Sequence, residues 1–162
     1  MKVSGNAIVL TNGKFDTKSA KTAHGLIRGS KRFIIKSVID DKFHSKYVHN
    51  NKYGNVFMSS TKSKIPVFKN VESFLEAGID VDYCIIGVAS AGGILPEEMR
   101  NDVILALNNN ISIVNGLHSI LNYDSQLKKI ADNNNVKIYD VRVSKSRDQL
   151  SFWSGKIYDV KS

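Results

Sequence analysis

Two histidines, three glycine-bearing turns and a few lysines and acids are the residues of this 162-residue chain whose types and spacing could do chemistry. His118 follows Gly116 at the end of the apolar run 111–115, where the carboxyl end of a strand would carry it into a ligand crevice. A neutral imidazole there could take a proton from an amine or hydroxyl nucleophile. His24 borders the apolar stripe of the segment 17–28, either as a second base or ligand-bonding group or as a histidine packed at a helix boundary. Gly92 and Gly93 precede a helix opened by Pro96; such a turn can aim backbone N–H groups at a phosphate or a developing oxyanion, or can simply be tight. Gly13 and Lys14 in the first turn, with Lys21 in the helix after it, are candidates to hold a phosphate or carboxylate. Asp40 closes the run 32–39, where dinucleotide-binding folds set an acid on a ribose hydroxyl and where an acid can also merely end a strand.

Other chemistries do not assemble. The first strand-to-helix turn reads TNGKFDTKSAKTAHG and lacks G-x-G-x-x-G, so the NAD fingerprint is absent. His44 and His49 sit in a polar stretch without a ligand partner, and no metal site is expected. Neither a Ser-His-Asp order nor a Walker-type loop can be formed.

These residues must be positioned by an alternation of strands and helices. Apolar runs at 6–10, 32–39, 65–68, 83–88, 111–115 and 136–141 read as strands buried on both faces. Between them, 17–28, 70–77, 96–108 and a segment capped by Asp124 or Ser125 carry apolar stripes at helical spacing, with Ala20, Ala23, Leu26 and Ile27, then Val71, Phe74 and Leu75, then Met99, Val103, Ala106 and Leu107, then Leu127, Ile130 and Ala131 inward. The stretch 42–64 shows no period and reads as a long mobile loop, a cover for a ligand edge. The order predicts an α/β, Rossmann-like three-layer sandwich with a mainly parallel sheet covered by helices on both faces. Its expected extent is 1–141, with 142–162 a linker or docking tail bearing Phe152 and Trp153.

Composition narrows the class. One cysteine, Cys84 in an apolar run, excludes a disulfide framework and points to a buried thiol in a cytoplasmic protein. No apolar run reaches the ~20 residues that cross a bilayer, so no membrane partner is expected. The net charge of +8 is uneven: residues 1–64 hold 13 Lys+Arg against 3 Asp, and residues 65–162 hold 10 against 12 acids. Such asymmetry suits a phosphorylated ligand, nucleic acid or solvated lysines; with no basic helix interleaved with aromatics, nucleic acid ranks last.

The segments 6–33, 84–100, 113–121 and 151–157 together resemble the N-terminal Rossmann-like domain of the D-glutamate N-acetyltransferase-like family, some members of which are named as NAD-dependent epimerase/dehydratase-like. A-K-T-A-H-G-L at 20–26, G-G-x-L-P at 92–96 and G-L-H at 116–118 carry the resemblance, which spans nearly the whole chain. Ser90 stands where members typically have a proline ahead of Gly-Gly. The resemblance implies acetyl transfer from acetyl-CoA to the amine of D-glutamate, with a C-terminal P-loop domain as partner beyond the W-S-G-K-I segment. The layout of 83–121 is also similar to the CoA-binding Rossmann domain of succinyl-CoA synthetase, which favours acetyl-CoA or CoA over NAD. Expected partners are thus a small-molecule ligand and the P-loop domain. A docking or homo-oligomerisation module without catalysis is the other reading.

Overall fold

In the computed structural model, which describes residues 3–142, eight strands form one sheet. The strands are β1 (Gly5–Leu10), β2 (Phe33–Ile39), β3 (Tyr47–Asn50), β4 (Val56–Ser59), β5 (Ile65–Phe68), β6 (Tyr83–Ile86), β7 (Ser112–Asn115) and β8 (Ile138–Asp140). Their order across the sheet is β4-β3-β5-β2-β1-β6-β7-β8. The six strands from β5 to β8 are parallel, which puts all their carboxyl ends on one edge. Residues 7–10 of β1 are fully buried, as a central strand covered on both faces requires.

Four helices cover the sheet: α1 (Lys21–Gly29), α2 (Val71–Glu76), α3 (Glu97–Asn108) and α4 (Ser125–Asn133). α2, α3 and α4 pack side by side on one face, while α1 and the β4 hairpin strand share the other. Of the expected stripes, Ala20, Ala23, Val71, Phe74, Met99, Val103, Ala106, Leu107, Leu127 and Ala131 are buried, while Leu26, Ile27, Leu75 and Ile130 at the stripe margins are only partly so. Asn70 Oδ1 accepts from the Ser73 amide at 2.9 Å and Ser73 Oγ accepts from the Asn70 amide, a capping box that opens α2. The Asp124 carboxylate caps α4 by accepting from the amides of Gln126 and Leu127. Thr17 caps a 3₁₀ turn, Lys18–Ala20, so the segment expected as one helix from 17 begins as a tighter turn. Pro96 sits one place ahead of the expected position, at the N-cap of α3.

The stretch 42–64 is not a structureless loop. β3 and β4 form an antiparallel hairpin that continues the sheet through β5. Its turn is made by the Asn51 side chain, which accepts from the Tyr53 and Asn55 amides at 2.9 and 3.0 Å, and by Gly54 at φ 76°. Only Val48 of the hairpin is fully buried, so the alternation that marks a half-buried strand is too short to register among polar neighbours. The satellite core of Phe15, Val38, Val48 and Val67 lies beneath it.

Cys84 is buried in β6 and burial pushes its thiol up, the signature of an inert sulfur. Among the described residues no helix is long and apolar enough to cross a membrane, and no metal-ligating cluster forms. Phe152 and Trp153 lie outside the described residues.

Candidate functional site

The carboxyl edge is built from the loops that follow β1, β2, β6 and β7. After β1 the chain bends sharply, with Asn12 and Gly13 at φ 40° and 75°. Asp40, at the end of β2, fastens this bend: its carboxylate accepts from Thr11 Oγ1 at 2.7 Å and from the amides of Phe15, Lys42 and Phe43 at 3.1 to 3.3 Å. It has no exposed surface, so its oxygens brace two loops from inside. The acid that faces Gly13 is the next residue, Asp41, whose Oδ1 would stand 2.9 Å from any Cβ placed there. Successive strand residues point to opposite sides, and sequence distance from Gly13 could not tell which of the two acids turns outward.

Lys14 meets Glu98 at the start of α3, its Nζ 3.3 Å from Oε1. The pair is well exposed and therefore weak, leaving the ammonium free to turn to an anion. Lys21 is exposed at the first turn of α1. His24 lies further along α1, where its Nε2 donates to the Phe15 carbonyl at 2.7 Å and its ring packs edge-on against Phe15 at 4.7 Å. That contact turns His24 toward the hairpin side.

Gly93 and His118 are brought together. A Cβ on Gly93 would lie 2.6 to 2.9 Å from atoms of His118, and the Ser119 amide donates to the Gly93 carbonyl at 2.8 Å. Both Gly92 and Gly93 hold φ near 65°, a left-handed pair that L-residues resist, and the Ser90 hydroxyl closes the turn onto the Ile94 carbonyl. The His118 imidazole is exposed above this turn, with Arg142 Nη1 donating to its Nε2 at 3.1 Å. A guanidinium can only donate, so Nε2 carries no proton in this arrangement. Gly116 begins the loop, whose course is set by a buried network that sequence reading missed. Asp140 of β8 accepts from Asn115 Nδ2, from Asn122 Nδ2 and from the amides of Leu121 and Asn122, at 2.7 to 3.1 Å. Asn115, fully buried, accepts from the Leu117 amide in turn. Two residues reading simply as polar strand ends thus fix where His118 stands.

A third group was also absent from the sequence reading. Asp102, on the buried stripe of α3, accepts from the Val71 amide at 2.8 Å and from Asn12 Nδ2 at 3.3 Å, and borders a hollow of about 200 Å³ with Asn12, Asp41, Lys69, Asn70 and Glu98. Burial holds its carboxyl above the usual carboxylate range, while Asn12 Oδ1 is buried with no partner among the described residues. A carboxyl raised on folding loses stability as pH climbs: both states are protonated at low pH, the unfolded chain ionises first, and the full penalty stands above the folded-state pKa. Asp102→Asn is therefore expected to stabilise the protein by about 1 kcal/mol at pH 7, because the amide keeps the Val71 bond and can donate to Asn12 Oδ1. It should also flatten the fall in stability from the ordinary carboxylate pKa upward, as read by urea unfolding at several pH values.

Gly87, at the end of β6, joins the two halves of the edge. Its carbonyl accepts from the Ala23 amide at 3.0 Å, and an added Cβ would fall 2.3 Å from Val9 Cγ1. Only a glycine lets the chain lie this close to Val9 of β1 and, with Ala23 Cβ 3.0 Å from the same point, to α1.

A mainly parallel sheet with helices on both faces, a hairpin extension and loops gathered along its carboxyl edge define a Rossmann-like α/β domain. The chain belongs to the family described as "Domain of unknown function (DUF1611_N) Rossmann-like domain", whose model matches residues 49–144. Over 96% of its length it is similar, at 25% identity and a TM-score of 0.75, to the crystal structure of a DUF1611 family protein from Anabaena variabilis ATCC 29413. It spans 42% of that chain, less than half. Two crystal structures of Staphylococcus aureus homoserine dehydrogenase, at pH 6.0 and pH 8.5, are more distant. They show 14% and 13% identity and TM-scores of 0.43 and 0.41, covering 86% of this chain and 33% of theirs. No curated protein matches the chain.

Proposed function

We propose that this domain binds a nucleotide-bearing acyl carrier, acetyl-CoA, at its carboxyl edge and serves an N-acetyltransferase of the D-glutamate type. The carrying observation is the pairing of His118 and Arg142 above the left-handed Gly92-Gly93 turn, which gathers an acceptor nitrogen and an exposed cation at one place. An anionic ligand draws the Arg142 guanidinium to itself through paired N–H donors and leaves His118 Nε2 open. The imidazole then takes the proton of the attacking amine as its nitrogen bonds to the thioester carbonyl carbon, and the thiolate departs. Lys14 supplies a further cation for phosphate or carboxylate, and Asp41, beside Gly13, an acceptor for ribose hydroxyls. NAD fits less well, because one glycine stands in the first turn where dinucleotide folds have three.

A second reading is favoured by length: the solved family member is more than twice as long as this chain. On that reading the domain docks a C-terminal P-loop domain, or a second copy of itself, and takes no part in catalysis. Calorimetric titration of the full chain with acetyl-CoA, CoA, NAD and D-glutamate separates the two. Binding of acetyl-CoA or CoA, weakened at least tenfold by His118→Ala, is the expected result. Silence from all four ligands would leave the docking module as the function.

A further inference from the structure

We infer that the outer edge of β4 binds an extended acidic segment of a partner protein, which adds to the sheet as a further antiparallel strand, the more stable of the two pairings. The inference does not depend on the carboxyl-edge reading, since β4 lies at the far end of the sheet order from β7 and β8. β4 pairs with β3 alone, so one row of its backbone groups meets no strand. Which residues carry that row follows from the ladder. The Asn51 amide donates to the Asn55 carbonyl at 3.1 Å, which makes 51 and 55 a hydrogen-bonded pair, and alternation makes His49 and Phe57 the next one. Val56 and Met58 therefore turn both N–H and C=O away from β3, in register for another chain.

The strand is unguarded. Val56–Ser59 holds neither a charge nor a proline, and its register with β3 runs without a bulge, whereas exposed edges are ordinarily blunted by one of the three. Val48 points into the satellite core, so His49 and Phe57 point to the opposite face, where their rings stack with centroids 5.4 Å apart and Phe57 remains 46% exposed. For an added strand Phe57 is a non-hydrogen-bonded position, where facing Cα atoms lie about 4.5 Å apart and side chains meet most closely. An apolar residue set there covers the ring. Charge selects the rest of the segment. Residues 42–64 hold five lysines and no acid; Lys52 stands in the turn before β4, and Lys62 and Lys64 in the link after it. None of these three takes part in the ion pairs among the described residues. A strand with acids at its ends meets lysines at both ends of β4. A second copy is disfavoured by the same charge, because pairing β4 with itself about Phe57 sets the two lysine-bearing stretches against each other.

The probe is the peptide EEVIVEE, blocked at both ends and titrated into the full-length chain; its isoleucine falls opposite Phe57 and its valines opposite Val56 and Met58. Calorimetry gives the affinity, and amide NMR with hydrogen exchange gives the place. EEVIVEE should bind, with the Val56 and Met58 amides shifted and slowed in exchange, and should bind several-fold more weakly when the ionic strength rises from about 0.05 to about 0.5 M. Neither KKVIVKK nor EEVIVEE methylated on both valine nitrogens should bind, the latter because it lacks the donors that the Val56 and Met58 carbonyls accept. Phe57→Ala should weaken binding about fivefold, while Lys129→Ala on α4 should leave it unchanged. No binding, equal affinity for KKVIVKK or for the methylated peptide, unaltered affinity in Phe57→Ala, or shifts centred away from residues 56–58 would each overturn the inference. So would a concentration-dependent dimer in which those two amides are already protected, because the edge would then belong to a second copy of the chain. Tighter binding of a single-stranded oligonucleotide at the same amides would overturn it too, because the lysines would then serve a nucleic acid.

Discussion

Gly93→Ala should abolish ligand binding at the carboxyl edge and lower stability by about 2 kcal/mol, the order expected for a strained left-handed residue with an added steric clash. The reason is local and double. Gly93 holds φ 65°, which a Cβ makes unfavourable, and the Cβ itself would stand 2.6 Å from His118 Cδ2 and 2.7 Å from His118 Cβ. The imidazole could move, but its Cβ is anchored by a backbone whose neighbour, the Ser119 amide, is bonded to the Gly93 carbonyl. The substitution therefore drives apart the two loops whose contact forms the site. Gly92→Ala separates strain from collision, because φ is 66° there and no atom stands within 4 Å of the added carbon. It should cost about 1 kcal/mol and leave His118 in place. Urea unfolding and acetyl-CoA titration of both variants check the pair; equal effects on binding would contradict the role given to the Gly93–His118 contact.

Asp40→Ala should be the most destabilising single change on this edge, by about 3 kcal/mol, or roughly 6–12 °C in Tm for a domain of this size. Removing the carboxylate takes the acceptor from the amides of Phe15, Lys42 and Phe43, the first of them buried, and leaves Thr11 Oγ1 only the Ile39 carbonyl. Asp40→Asn keeps the volume but turns an N–H donor toward a set of donors, so it should recover only part of the loss. By contrast Asp41→Ala, at an exposed residue, should change Tm little while weakening any ligand whose hydroxyls meet that carboxylate. Thermal unfolding of the three variants distinguishes the brace from its exposed neighbour. A drop below about 1 kcal/mol for Asp40→Ala would contradict the bracing role.

The elements that the sequence displayed most clearly are those whose burial is complete. β1, β6 and β7 appear as apolar runs because both faces are covered, and the stripes of α2, α3 and α4 repeat at helical spacing because one face is. The hairpin escaped notice because its sheet pairing is made by backbone groups while most of its side chains are only partly buried. The place of Gly92, Gly93, Gly116 and His118 in the loops at strand ends was legible, and the contact between Gly93 and His118 follows from the neighbouring positions of β6 and β7. The roles of Asp40, Asp102, Asn115 and Asp140 were not legible. Each is a polar residue whose partners come from segments distant in sequence, and only the folded chain decides whether a carboxylate braces a loop or faces a ligand. A buried acid on an otherwise apolar helical stripe, such as Asp102 between Met99 and Val103, is the one signal that was available.

The central claim is that an acyl carrier binds where the loops after β6 and β7 meet. Titrating acetyl-CoA into the isotope-labelled full-length chain tests it most directly, with NMR following the amides of Gly92, Gly93 and Ser119 and the imidazole of His118. Saturable shifts at all four, lost in Gly93→Ala but retained in Gly92→Ala, are the result this account predicts. Binding that leaves those four resonances unmoved, or no binding at all, would contradict it.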